Sequence, residues 1–311
     1  MPRISAIICT HNGAKLLQKA LESLVRQTLA HEDFEIIVVD NASSDATAQV
    51  VEEMRRENTN LRYRREDRLG LSWARNTGAE TASSPYLAYL DDDARAEPRW
   101  MESLLVAFEA GVPAPDCVGG RVRLDWGGNA PSWLPARYWR LYSSLDLGDA
   151  GHFLGESEYL VGANIAFRRA VLLEMGGFDA RLGRRGRTLL SGEESAVLEK
   201  FRKSGRLVFY EPNAAVWHFV QEKRRTKRWL RSRLFWDGAS QPLLDYGTGQ
   251  QWRFYALQVY RDLRRMARFG CEYFSALARR DRERRVDNSF ALVQRLGRLR
   301  TNLNLAITGK S

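Results

Sequence analysis

The residues with the clearest capacity for chemistry are Asp91 and Asp93, which follow the apolar run at 86–90. A short apolar run that ends on polar residues predicts a buried strand, whose alternation puts Asp91 and Asp93 on one side and Asp92 on the other. Two carboxylates on one side offer hard oxygen ligands for Mg²⁺ or Mn²⁺, which proteins hold together with substrate phosphates. A solvated acidic turn is the competing interpretation.

Two other predicted strands also end on polar side chains. Residues 4–9 lead into Thr10 and Asn12, and residues 34–39 stop at Asp40. Helical spacing between the strands predicts alternating strands and helices, which favours an α/β fold with a mostly parallel sheet. The carboxyl ends of parallel strands share the edge at which open α/β sheets bind ligands. The strand ends are therefore expected to converge on one nucleotide.

Several classes of protein are disfavoured by what the sequence lacks. Neither Gly-x-Gly-x-x-Gly nor Gly-x-x-x-x-Gly-Lys follows the first strand, which argues against a dinucleotide dehydrogenase and a P-loop enzyme. Cys9, Cys117 and Cys271 match no zinc spacing and cannot all pair, so a reducing compartment is expected. No apolar run is long enough to span a bilayer and no signal-peptide pattern is present, so the sequence predicts a cytoplasmic protein.

The net charge of +10 is concentrated near the C-terminus. Residues 220–311 carry +13, whereas residues 1–219 carry −3. Within the basic part, apolar and aromatic residues at helical spacing predict a helical appendage with one basic face. Such a face could meet an anionic membrane surface, nucleic acid or a phosphate-bearing substrate, or it could simply be solvated.

Eight short segments follow one another between residues 4 and 220. The first four are Cys-Thr-His-Asn at 9–12, Val-Asp-Asn-Ala-Ser-Ser-Asp at 39–45, Gly-Leu-Ser-Trp-Ala-Arg-Asn-Thr-Gly-Ala at 70–79 and Leu-Asp-Asp-Asp at 90–93. The others are Gly-Ala-Asn at 162–164, Gly-Gly-Phe-Asp at 176–179, Gly-Glu-Glu at 192–194 and Trp-His at 217–218. Any one of them is a weak signal. As an ordered set they resemble the glycosyltransferases of family 2, which implies the GT-A fold and an inverting, non-processive enzyme of bacterial type.

The resemblance implies a nucleoside diphosphate sugar, expected to be a UDP-sugar, as the donor. In the family, the position of Asp40 contacts the nucleobase, with Thr10 and Asn12 in the loop around it. Asp91 would contact the ribose or help to position a Mn²⁺ or Mg²⁺ ion, and Asp93 would bind that ion. The competing interpretation of Asp40 is a capping or turn residue.

Further residues are matched by position to donor binding. His218 corresponds to a position that touches the metal or the diphosphate in relatives, and Asn164 could hold sugar hydroxyls or be a buried turn residue. Arg75 would lie near the nucleotide unless it is a surface residue of its helix. The remaining candidates for the donor site are Asp92, ranked lower because it points the other way, and the possible phosphate ligands Arg224 and Arg225.

The resemblance also implies a general base at the pair Glu193 and Glu194. An inverting transferase needs one carboxylate to take the acceptor proton during in-line attack. The family commonly has Glu-Asp at this place, with the second residue as the base, so Glu194 matches by position but is one methylene longer. Which of the two carboxylates reaches the acceptor stays open, and a cap for the following helix is the alternative role.

The expected organisation is a GT-A domain at 1–220 and a basic helical extension at 221–311. Residues 1–115 would bind the donor and 116–220 the acceptor, which is expected to be a glycan or a lipid-linked glycan of surface polysaccharide synthesis. Because a lipid-linked acceptor lies at a membrane, peripheral attachment of the basic extension to an anionic surface is a further hypothesis. The aromatic segment 126–142 could contact acceptor or form core.

Two alternatives from other classes are a nucleic-acid-binding protein acting through the basic tail and a nucleotidyltransferase on a related sheet. The tail contains no recognisable nucleic-acid-binding module, and acidic strand ends repel phosphate unless a metal is present, so no nucleic-acid partner is expected. A nucleotidyltransferase would lack the late Glu-Glu and His residues. Single transfers are favoured over polymerisation, because the Trp of the processive Gln-x-x-Arg-Trp motif is missing after Gln221.

Overall fold

The computed structural model describes residues 1–110, 113–186, 188–246 and 252–308. These residues form two compact units. The first joins Met1–Ala180 to Glu193–Gln221, and the second joins Arg181–Gly192 to the chain from Glu222 onward. Residues 247–251 and 309–311 of the predicted C-terminal extension lie outside the described residues.

The N-terminal half of the first unit alternates strands with helices, as the sequence predicts. Four strands pair in parallel in the order β3-β2-β1-β4, and the edge strand β3 is partly exposed whereas the other three are buried. The strands are β1 (Ile4–Thr10), β2 (Phe34–Asn41), β3 (Leu61–Glu66) and β4 (Tyr86–Asp91). The connecting helices are α1 (Ala14–Val25), α2 (Thr47–Arg55) and α3 (Leu71–Thr81). Apolar side chains of β1, β2 and β4 fill the core between them.

The register of this sheet brings the three polar strand ends together. Thr10 lies opposite Asp40 on the neighbouring β2, and Cys9 lies opposite Asp91 on β4. Parallel pairing with the same polarity makes this juxtaposition unavoidable once the register is set. The predicted convergence at one edge is therefore present in the backbone.

The second half of this unit continues the sheet with mixed pairing in the order β4-β8-β6-β9-β5. Its strands are β5 (Ala94–Ala96), β6 (Cys117–Asp125), β7 (His152–Phe153), β8 (Asn164–Arg168) and β9 (Val208–Phe219). Its helices are α4 (Trp100–Ala110), α5 (Arg169–Glu174) and α6 (Glu193–Lys203). Because β5 follows β4 directly in the chain yet pairs at the far end of this order, the sheet must curl back on itself. The mixed α/β fold is the predicted GT-A fold.

The aromatic segment that follows β6 packs against itself. The buried ring of Trp126 lies 6.0 Å from that of Trp139 and 5.3 Å from that of Tyr142, measured between centroids. Trp139 and Tyr142 are brought to this position by a 3₁₀ helix, Ala136–Tyr142. These contacts support the core-forming interpretation for the three rings.

In its described residues the second unit has the α-helices α7 (Lys227–Tyr246), α8 (Trp252–Ala278) and α9 (Arg282–Thr308), which confirm a helical C-terminal region. Asp262 of α8 is buried, and its carboxylate accepts hydrogen bonds from Arg295 (3.1 Å) and Asn302 (2.9 Å) of α9. These bonds tie α8 to α9. No helix in the described ranges is both long and apolar enough to cross a bilayer.

Helices α7 and α9 cross at two glycines. A Cβ placed on Gly297 would overlap the carbonyl oxygen of Phe235, and one on Gly238 would overlap that of Gln294. Backbone atoms cannot give way as a flexible side chain can, so a side chain at either glycine must push the helices apart.

We expect Gly297→Ala to lower the free energy of unfolding by about 2–3 kcal/mol, because overpacking outweighs the gain in helix propensity. Gly270 of α8 is the matched control, since a Cβ there meets no atom within 4 Å. Gly270→Ala should raise stability by about 0.5–1 kcal/mol. Urea unfolding followed by circular dichroism measures both values, and equal effects would contradict the close helix crossing.

Candidate active site

Three potential metal ligands meet at the carboxyl end of β4. Asp91 is the last residue of that strand and Asp93 lies in the turn before β5. Strand β9 brings His218 to the same place, because Ala94 pairs with His218 and the backbone N–H of Phe219 donates to the carbonyl of Asp93 at 2.8 Å. One ligand atom from each of Asp91, Asp93 and His218 lies within 4.8 Å of the others.

The geometry around His218 fits a divalent cation. Its Nε2 lies 3.0 Å from Asp93 Oδ1 and 3.9 Å from Asp91 Oδ2. The residue is 1% exposed, yet neither ring nitrogen has a partner with hydrogen-bond geometry within the described part of the chain. Buried polar atoms normally have partners, so this imidazole indicates a missing ligand. Two carboxylates and one imidazole are a suitable donor set for Mn²⁺ and also for Mg²⁺.

Asp92 is turned away from this cluster. Its carboxylate accepts a hydrogen bond from Thr10 Oγ1 at 2.6 Å, which ties the turn after β4 to the end of β1. A Cβ on Gly13 would overlap both of these side-chain oxygens, so the glycine leaves room for the contact. Thr10 and Asp92 therefore support the loops around the cluster.

Arg75 of α3 is a buried cation that joins the cluster to α6. Its guanidinium lies 3.6 Å from Asp91 Oδ1, forms an ion pair of 2.9 Å with Glu193 Oε1 and donates to the carbonyl of Gly162 at 3.1 Å. Burial alone lowers the pKa of Arg75, but the nearby carboxylates, that of Glu193 first, hold this pKa above its ordinary value. With 3% exposure the guanidinium is not a surface group, and these contacts suit a positioning role.

Gly162, in the Gly-Ala-Asn segment, makes space for this arginine. A Cβ at Gly162 would overlap the Arg75 guanidinium. The hydroxyl of Tyr89 donates to the backbone carbonyl of Arg75 at 2.9 Å and links α3 to β4. The small residues around Gly162 were expected to allow close approach of a ligand, and the structure places the Arg75 guanidinium there. The contact made by Tyr89 was not predicted, because strand periodicity marks Tyr89 only as a buried residue of β4.

The two consecutive glutamates at the start of α6 differ in environment. Glu193 is 4% exposed and paired with Arg75, whereas Glu194 is half-buried. Glu194 is also close enough to raise the pKa of Arg75 by its charge. Of the two side chains that of Glu194 is the more exposed, and which of them acts as the general base stays a prediction.

The residues predicted around the nucleobase are held by hydrogen bonds within the loops. Asp40 is buried and accepts from Tyr63 Oη at 2.7 Å and from the backbone N–H of Ser43 at 2.8 Å. Asn12 has a positive φ of 54° and accepts from the backbone N–H of Ser44 at 2.8 Å. These contacts shape the loops after β1 and β2. The bond from the Ser43 N–H to Asp40 is the turn or capping contact that was the competing interpretation of Asp40.

Asn164 at the start of β8 has no exposed surface. Its amide donates to the carbonyl oxygens of Ala214 (2.7 Å) and Arg121 (3.1 Å), and its oxygen accepts from Trp100 Nε1 at 2.8 Å. These hydrogen bonds favour a structural role for the buried Asn164 over a role in binding sugar hydroxyls.

The predicted phosphate ligands Arg224 and Arg225 belong to the second unit. Arg224 ends the 3₁₀ turn Glu222–Arg224, and Arg225 follows it. Their role in phosphate binding stays a prediction.

Two further features near the strand ends were not predicted. Burial raises the pKa of the Cys9 thiol to about 12, so this group beside Asp91 is neutral at physiological pH. At the end of β3, hydrogen bonds from Arg68 lower the pKa of Glu66 to about 2, and the Arg68 guanidinium stacks 4.0 Å from the ring of Trp73. Both features depend on contacts that strand periodicity does not encode.

Comparisons with known proteins agree with this architecture. The family described as Glycosyl transferase family 2 matches residues 5–176. Glucosyl-dolichyl phosphate glucuronosyltransferase of Haloferax volcanii is 30% identical over 246 residues, which cover 78% of this chain and 77% of that protein.

Two solved structures share the fold at low sequence identity. The mannosyltransferase PcManGT of Pyrobaculum calidifontis, in complex with GDP-Man and Mn²⁺, has a TM-score of 0.65 and 17% identity, with 100% of this chain and 88% of that chain covered. TarS residues 1–349 of S. aureus, in complex with UDP-GlcNAc, has a TM-score of 0.54 and 19% identity, with 76% of this chain and 66% of that chain covered.

Proposed function

The chain belongs to glycosyl transferase family 2, and from this membership we propose that it transfers one sugar at a time from a nucleoside diphosphate sugar, with inversion and with help from a divalent cation. The acceptor is a hydroxyl of a glycan or a lipid-linked glycan in surface polysaccharide synthesis. Family membership makes the protein a glycosyltransferase and no longer leaves room for the nucleotidyltransferase alternative. In this proposal residues 1–115 bind the donor, 116–220 bind the acceptor and 221–311 form the extension.

The observation that carries the proposal is the cluster of Asp91, Asp93 and His218 at the carboxyl ends of parallel strands. These residues would hold Mn²⁺ or Mg²⁺, which supplies Lewis-acid stabilisation of the departing diphosphate when bound. The complex of PcManGT with GDP-Man and Mn²⁺ supports the same combination of nucleotide sugar and cation.

The chain's own residues supply the proton transfer and the positioning. During the in-line displacement the acceptor oxygen bonds to the anomeric carbon while the bond from that carbon to the diphosphate breaks. Glu194 takes the acceptor proton, and Arg75 holds Asp91 and the start of α6 in place through Glu193. Asp40, Thr10 and Asn12 surround the nucleotide in this proposal.

The nature of the donor base is the first thing to test. Uridine is the predicted base, and the solved neighbours hold UDP-GlcNAc in one case and GDP-Man in another. We expect one class of nucleotide sugar to raise the melting temperature by about 4 °C when it is present at about 100 times its Kd. A panel of UDP- and GDP-sugars, each with MnCl₂, MgCl₂ or EDTA, measures this shift by differential scanning fluorimetry.

The shift should appear with the metal salts and disappear in EDTA. Release of the nucleoside diphosphate on addition of lipid-linked glycans would then identify the acceptor class. Equal shifts with and without EDTA would contradict the proposed metal, and no shift with any nucleotide sugar would contradict the proposed donor.

A further inference from the structure

Helix α8 presents large apolar side chains to solvent. Trp252, Tyr260, Leu263, Phe274 and Leu277, called here the α8 stripe, are all exposed, and Phe274 is 69% exposed. At 3.6 residues per turn their spacing places them within about 100° of the helix circumference. Several large apolar side chains exposed on one side of a helix mark an interaction site more often than isolated exposed residues do.

A different side of α8, centred about 120° around the helix from the stripe, is already packed. Tyr255, Gln258, Asp262 and Ala276 are its buried residues, and Asp262 bonds to α9. The α8 stripe is therefore not the side that the three-helix unit uses for its own core. Helix α9 also exposes apolar residues, Leu296, Leu303 and Ile307, at spacings of seven and four.

The charge beside the stripe indicates what covers it. Arg253, Arg261, Arg264 and Arg268 of α8 are exposed, and by helical spacing Arg253 and Arg264 lie next to the stripe. A second copy of the same helix would bring these arginines together, and like charges at an interface are unfavourable. An anionic lipid surface is complementary to them, and each arginine near such a surface adds to binding.

We propose that the α8 stripe docks this protein on an anionic membrane surface, with the helix lying in the plane of the interface. Leu263 and Phe274 enter the acyl boundary, Trp252 and Tyr260 sit at headgroup level, and the flanking arginines contact lipid phosphates. The inference does not depend on the proposed reaction, because it concerns binding by the second unit alone.

The test is vesicle flotation of the purified full chain. Vesicles of phosphatidylcholine mixed with phosphatidylglycerol should bind it, and vesicles of phosphatidylcholine alone should bind it far more weakly. The double variant Leu263→Asp/Phe274→Asp should lose at least about 100-fold in affinity for the mixed vesicles. Val106→Asp is the matched control, because Val106 of α4 is likewise exposed, at 56%, but lies in the other unit.

A second pair of variants tests the electrostatic contribution to membrane binding. Arg253→Gln/Arg264→Gln should weaken binding to the mixed vesicles by roughly 30-fold, whereas Arg56→Gln, at an exposed position in the first unit, should not. Added salt should reduce binding of the wild type by screening the same charges.

A fluorescent probe reports where the helix lies. Cys271 is an exposed cysteine of α8 near the stripe, and an environment-sensitive maleimide dye attached there should shift to shorter wavelength on mixed vesicles. Wild-type protein that does not float with the mixed vesicles would overturn the proposal. So would a homodimer, detected by light scattering, that the Leu263→Asp/Phe274→Asp variant dissociates without any change in flotation.

Discussion

Asp93→Asn is expected to reduce sugar transfer at least about 1,000-fold, which corresponds to about 4 kcal/mol of lost transition-state stabilisation. Asp93 is buried and its Oδ1 faces His218 Nε2 at 3.0 Å, within the cluster that includes Asp91. Removing one negative charge weakens the hold on a divalent cation, and the diphosphate then leaves without full charge neutralisation. Steady-state kinetics and titration calorimetry with MnCl₂ measure the two effects.

Asp92→Asn is the matched control for this variant. It changes the neighbouring carboxylate in the same way, but Asp92 accepts a hydrogen bond from Thr10 and lies outside the cluster. We expect less than about a tenfold loss of transfer and unchanged Mn²⁺ affinity, because an amide oxygen can still accept this bond. Equal losses of transfer in the two variants would show that the acidic turn acts as a whole. That result would contradict the assignment of Asp93 as a metal ligand.

The convergence of the strand ends was predictable because it needs only the local pattern and the polarity of the strands. Apolar runs that stop at Thr10, Asp40 and Asp91 define three parallel strands, and parallel pairing then places their ends side by side. The pairing of these strands in the structure agrees with that prediction. The GT-A fold follows from the same alternation together with the ordered motifs.

The pairing of Arg75 with Glu193 was not predictable by the same reasoning. The two residues are 118 positions apart, and each has a sensible local interpretation, one on a helix surface and the other as a helix cap. Only the curled sheet, which returns from β4 through β8 and β6 to β9, brings α6 to α3. Long-range ion pairs of this kind depend on topology and leave no periodic signal in the sequence.

The orientation of α8 was hidden for a related reason. Periodic apolar residues predict a helix, and the usual expectation is that its apolar side is packed inside. Here Asp262 and Gln258 are buried while Leu263 and Phe274 face solvent. Periodicity shows that a helix has an apolar side and a polar side. The elements that pack against the helix decide which of the two sides is buried.

Glu194→Gln is expected to lower kcat by about 10²–10⁴-fold while donor binding stays intact. A glutamine cannot take the acceptor proton, and loss of a positioned general base has this magnitude. The half-buried side chain in the first turn of α6 keeps its size, so the fold should be unaffected. The donor-dependent shift in melting temperature, measured with MnCl₂, reports binding separately from turnover.

Glu193→Gln should behave differently, because Glu193 is buried against the Arg75 guanidinium, which would lose its nearest carboxylate while Asp91 stays 3.6 Å away. Breaking a buried ion pair from one side costs about 3–5 kcal/mol, so we expect a lower melting temperature without ligand and a smaller loss of kcat than in Glu194→Gln. Glu199→Gln is the control on the same helix, since Glu199 is exposed and forms a surface ion pair with Lys203. A larger loss of kcat in Glu193→Gln, with unchanged stability, would transfer the role of base to Glu193 and refute the present assignment.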